Sequence, residues 1–202
     1  MFRHIVFLAI LLLPWSALAH SSRLSSSNPT GLPIPSLSHG EMAVLTGYRS
    51  EIRKLAGEVK FTDPTFRTLM NYGAIQFTYC LWGLAPGAIA DEESPFNECA
   101  HAYLSADKAL LLHMRGMANK SAGVDDLVSR IDVAMVKSGA AFIGCQYSGE
   151  TFDTADILTP HWENIPGHHP SLAALGLCGF LLAAPVAIGA GRKFRLISRT
   201  GK

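Results

Sequence analysis

Apolar residues recur at helical spacing four times between positions 42 and 145, and each run is bounded by residues that start or stop helices. Met42, Leu45, Tyr48, Ile52, Leu55 and Val59 form the first stripe; Ser38 can cap it, and Glu41 three residues on completes a capping box. A second begins at Thr62 or Asp63 with Pro64 in its first turn. It carries Phe66, Leu69, Met70, Ile75, Phe77, Cys80 and Leu81 and stops before Gly83 and Pro86. The third opens at Ser94 with Pro95 in its first turn and shows Phe96, Cys99, Tyr103, Ala106, Leu110, Met114 and Met117 on one face. The fourth follows Ser121 with Val124, Leu127, Val128, Ile131, Met135, Phe142 and Cys145, and its acids Asp125 and Asp126 sit where a helix N-terminus favours negative charge. Four such stripes predict an all-α fold, an antiparallel four-helix bundle over residues 38–146. There is no comparable strand signal.

The flanks follow different patterns. Arg3 and His4 precede the short apolar run Ile5 to Leu13, and Ala17-Leu18-Ala19 supplies a small-x-small cleavage pattern, so residues 1–19 read as a cleavable signal peptide. An uncleaved signal anchor is the alternative. Residues 20–37, rich in Ser, Pro and Gly, are expected to be a flexible tether, and residues 147–170 a juxtamembrane stalk. Leu172 to Gly191 contains no charged or strongly polar side chain. At about 1.5 Å per residue such a helix crosses a hydrocarbon core of roughly 30 Å. Residues 171–191 therefore read as one transmembrane helix, followed by a basic cytoplasmic tail, 192–202.

Charge sharpens that topology. All 16 Asp and Glu lie between Glu41 and Glu163, whereas Arg192, Lys193, Arg195, Arg199 and Lys202 crowd the last eleven positions. The formal net charge of +1 is a cancellation between an acidic outer segment and a basic tail. Cationic residues beside a span stay on the cytoplasmic side, which gives a single-pass protein of the cell inner membrane with its N-terminus outside. An acidic outer segment argues against nucleic acid as a partner.

Alternating helices would bring Cys80, Cys99 and Cys145 to one pole, together with Trp82, Asp91, Glu92, Glu93, Glu98 and His101. In an oxidising compartment Cys80 and Cys99 are expected to form a disulfide. Glu98 and His101 have the Glu-x-x-His spacing of di-iron bundles, but the second copy that such a site needs is missing. A softer set, drawn from Cys80, Cys99, Cys145 and His101, would suit copper or zinc. After cleavage, His20 would offer an amino group and an imidazole together, a Cu(II) chelate on a floppy segment.

No Walker loop, dinucleotide fingerprint, nucleophile elbow or His-Glu-x-x-His helix occurs, which points to binding before catalysis. The expectation is a membrane-anchored helical module that assists a membrane protein or envelope complex through Asp91, Glu92, Glu93 and Glu98. Gly176, Gly179, Ala183 and Ala187 would let its span pack against another helix. The alternative is a copper- or zinc-binding or thiol-redox protein that uses the pole of Cys80, Cys99, Cys145 and His101, with His101, Glu98 and Cys145 as the candidate metal ligands.

Overall fold

The computed structural model describes residues 31–139, 147, 149–181 and 183. The expected signal peptide, Cys145, most of the tether, the second half of the expected span and the basic tail lie outside the described residues. What is described is mostly helical: α1 (His39–Glu58), α2 (Pro64–Tyr79), α3 (Asn97–Gly116), α4 (Val124–Ser138) and α5 (residues 169–181), with two three-residue strands, β1 (Pro33–Pro35) and β2 (Thr151–Asp153).

The helix starts follow from local chemistry. Ser38 Oγ accepts the Glu41 N–H (3.2 Å) while Glu41 Oε2 accepts the Ser38 N–H (2.8 Å), the reciprocal box expected ahead of α1. Asp63 caps α2 by accepting the Phe66 N–H at 2.8 Å, with Pro64 at the first helical position. α3 starts later than expected, because Ser94 to Asn97 make a separate turn in which the Asn97 N–H bonds the Ser94 carbonyl (3.0 Å). Gly139, at φ 64°, takes the left-handed conformation that ends α4, and Phe142 and Cys145, expected on the same stripe, lie outside the described residues.

α3 is the centre of the molecule. Every residue from Asn97 to Asp107 is buried, whichever way it points. α2, α1 and α4 pack against it, and α1 also packs on α4. Asp63, ahead of α2, meets His113 late in α3 (2.8 Å), and Cys80, just past α2, is bonded to Cys99 near the start of α3, so these two helices run in opposite directions. His39 at the start of α1 lies 3.0 Å from Asn97 at the start of α3. Ser121, ahead of α4, donates to Glu58 at the end of α1.

Two segments expected to be loose are instead fastened to α3's surroundings. β1, inside the stretch read as a tether, pairs antiparallel with β2, with Ile34 opposite Phe152. Its prolines fall at positions that need no donor, while the Ser36 N–H reaches the Glu150 carbonyl and the Leu32 carbonyl takes the Thr154 N–H, both at 3.0 Å. Ile34 and Leu37 are buried in the core. The expected stalk likewise folds back as a strap. Phe152 and Ile165 are buried, and the buried side chain of Gln76 in α2 holds Leu158 at both backbone groups, donating to its carbonyl (2.6 Å) and accepting its N–H (3.1 Å). The His161 N–H bonds the Pro95 carbonyl at 2.9 Å.

The disulfide between Cys80 and Cys99 forms as expected, with Cα atoms 5.8 Å apart and 19 positions separating the cysteines. Loop-closure entropy for a span of this size is worth about 3 kcal/mol. The double variant Cys80→Ala, Cys99→Ala is therefore expected to unfold at lower urea, with a loss of about that size. An unchanged midpoint contradicts it.

Candidate functional site

The pole where α3 begins gathers most of the chemistry, and it does so by pairing. His39 Nδ1 lies 3.2 Å from Glu92 Oε1, His161 Nε2 donates to Glu98 Oε2 at 2.7 Å, and His168 Nε2 donates to Asp91 Oδ2 at 3.0 Å. The three histidines come from the start of α1, from the strap and from the residue ahead of α5. The acids come from the segment that leads into α3. Asp91, Glu92 and Glu98, expected as free partner contacts, thus each face an imidazole, and Glu98 is buried; Glu93 is exposed. The hydrogen bond from His168, with the Glu93 backbone N–H adding to it, holds the Asp91 carboxyl below the usual carboxylate range. His168 Nδ1 also accepts from Ser171, at 2.7 Å from the hydroxyl and 3.3 Å from the backbone N–H, and so caps α5.

His101 is fully buried. Its ring stacks on His39 (centroids 5.6 Å apart) and tilts against Tyr147 (5.4 Å), with Nδ1 3.3 Å from Ser36 Oγ. Burial first, and the neighbouring His39 second, push its pKa down to about 4, so the ring is neutral at pH 7.

Two turns further along α3 is a group that the sequence reading missed. Asp107, fully buried, is 2.9 Å from Arg49 Nε and 2.6 Å from Arg53 Nε. Arg53 Nη1 donates to the Met70 carbonyl (2.7 Å), and a Cβ at position 73 would collide with its Nη2, so Gly73 is what lets α2 approach. The Arg49 guanidinium lies 3.4 Å from the centre of the Phe77 ring. Burial raises the Asp107 carboxyl to about 6 against the pull of both arginines. The signal was present in the sequence: Asp107 stands four residues after Tyr103 and three before Leu110, on the stripe itself.

Of the expected metal set, Glu98 turns to His161 and His101 to His39, Ser36 and Tyr147, while Cys145 lies outside the described residues. Cys80 and Cys99 are bonded to each other, which removes two sulfurs from the softer set. Among the described residues no three His, Cys, Asp or Glu side chains are placed to hold a metal ion. No known family, curated protein or solved structure matches this chain.

Acid acts on the two buried groups with opposite signs. His101, depressed from 6.5 to about 4, leaves the unfolded chain to take the proton first, so its contribution to stability is complete above pH 6.5 and is lost as pH falls toward 4. Asp107, raised from 3.8 to about 6, binds its proton first in the folded state, so folding gains over the same fall. His101→Gln removes the first effect and leaves the second. On going from pH 7 to pH 5 the variant is expected to gain about 2 kcal/mol relative to the parent, read from urea unfolding at both pH values. Parallel pH dependences contradict the burial of His101 as a neutral ring.

Proposed function

We propose that the chain is a membrane-anchored, extracytoplasmic helical module, with α1 to α4 arranged as an antiparallel four-helix bundle, that serves as an interaction or accessory protein for a membrane-associated partner. Residues 1–19 would direct export, residues 171–191 would form the single span, and residues 192–202 would stay in the cytosol, placing the protein in the cell inner membrane with its N-terminus outside. Glu92 and Glu93, which remain exposed beside the pole, are the acids we assign to partner contact.

The observation that carries this reading is the state of α5. Among the described residues no helix is long and apolar enough to cross a membrane, and α5 is described only to residue 181, with residue 183 beyond it. Yet past Ser171 its side chains leave the body of the protein. Leu172, Leu175, Leu177, Phe180 and Leu181 are all exposed, and Phe180 is 68 % so. An exposed apolar helix face needs a cover, and the sequence runs on without a charge to Gly191 and then into a tail with five basic residues. The disulfide adds support, since such bonds persist in oxidising compartments.

Carbonate-washed membranes are expected to retain the full chain. Alkaline phosphatase is expected to be active when fused after residue 170 and inactive when fused to the C-terminus. Release by carbonate, or an active enzyme at the C-terminus, overturns the reading.

A further inference from the structure

We propose that the loop from Leu81 to Ala90 is a second membrane contact, seated in the headgroup layer of the bilayer beside the point where α5 leaves the protein. The proposal rests on the anchored reading above and adds to it a surface of the folded body that touches lipid.

The loop reads Leu-Trp-Gly-Leu-Ala-Pro-Gly-Ala-Ile-Ala, ten residues with no charge and one polar side-chain atom, the indole N–H of Trp82. Its burial alternates. Leu81, Ala85, Ala88 and Ile89 pack against the core, while Trp82, Leu84, Pro86 and Ala90 are exposed. Every exposed side chain of the loop is thus apolar or aromatic, and Leu84 is 78 % exposed. A surface loop in water ordinarily shows the reverse pattern, and an apolar patch of this kind marks a surface that another phase covers.

The backbone holds that display in place. Leu81 (φ 51°) and Trp82 (φ 55°) both adopt the left-handed conformation that non-glycine residues avoid, followed by Gly83 at φ 64°. At Gly83 a Cβ would come within 2.9 Å of the Tyr103 hydroxyl, so the turn lies hard against α3, and its first residue follows the cysteine bonded to Cys99. The fold accepts this strained turn with Trp82 directed outward.

Lipid is the cover we assign because the loop is tied to the base of α5. A Cβ at Gly87 would be 3.6 Å from His168 Cε1, and Asp91, one residue past the loop, accepts the hydrogen bond from His168. Six residues before His168, Trp162, also exposed, sets its ring edge-on to Phe96, with centroids 5.6 Å apart. Tyr79, at the end of α2, is exposed as well. Two exposed tryptophans, one in the loop and one in the strap that leads into α5, with exposed Tyr79 directly before the cysteine that precedes the loop, are the residue types that favour the boundary between headgroups and acyl chains.

The full chain is reconstituted into phosphatidylcholine vesicles with Trp15 and Trp162 replaced by Phe, which leaves Trp82 as the only tryptophan. Phosphatidylcholine brominated near the carbonyl end of its acyl chains is expected to quench Trp82 emission at least twofold. Leu84→Glu is expected to abolish at least half of that quenching while the protein still floats with the vesicles. Flotation with unquenched Trp82 overturns the loop contact and leaves the anchor standing; failure to float overturns both. Shielding of Trp82 from an aqueous quencher in native membranes, without quenching by brominated lipid in pure vesicles, assigns the loop to a protein partner and also overturns the proposal.

Discussion

The structure depends on one constraint: the first three turns of α3 are buried on every side, although their sequence is not wholly apolar. Asn97, Glu98, His101, Ser105 and Asp107 all lie in that stretch. A buried polar group without a partner costs on the order of 1–3 kcal/mol, and a buried charge costs more. Partners for Asn97, Glu98, His101 and Asp107 are drawn from α1, the segment ahead of it, the loop before α3 and the strap, while Ser105 Oγ and Asn97 Oδ1 have no hydrogen-bond partner among the described residues. Asn97 donates to the Ala88 carbonyl (3.2 Å), Glu98 takes His161 from the strap, His101 sits against Ser36 and His39, and Asp107 takes Arg49 and Arg53 from α1. Few alignments of these segments make all four of those sets of contacts at once.

That constraint also decides what the pole shows to its surroundings. Read from the sequence, the pole is an acidic surface. In the folded chain Asp91, Glu92 and Glu98 face His168, His39 and His161, Glu92 and Glu93 stay exposed, and the exposed side chains of the adjoining loop are Trp82, Leu84, Pro86 and Ala90. The pairing of Glu98 with His161 brings the strap over the pole, and that of Asp91 with His168 sets the root of α5 beside the loop. Beside the paired histidines and acids the molecule thus shows an apolar face, next to the helix whose own apolar side chains are exposed.

The helices, their caps and the disulfide were legible because each leaves a local mark: the capping box at Ser38 and Glu41, Asp63 before Pro64, and two cysteines flanking a short connection. The strands were not. Three residues give no period to read, and the partners Leu32 and Thr154 are 122 positions apart. The strap looks like a linker by composition, because its attachment runs through backbone groups and through one buried glutamine in another helix. Asp107 was hidden by its neighbours, a single acid on a stripe otherwise read as core. The candidate site was legible in its members but not in its pairings, since histidines more than fifty positions from their carboxylates carry no spacing signal.

Amide hydrogen exchange on the full chain tests most directly whether α3 is wrapped by the two ends of the folded body. The N–H groups of Ser36, Thr154, Leu158 and His161 are each hydrogen-bonded across that wrapping. If the wrapping exists, they exchange as slowly as the amides of α1. Exchange at random-coil rates in those four, with α1 protected, would mean that the strap and β1 are loose and that α3 is open to water along that side.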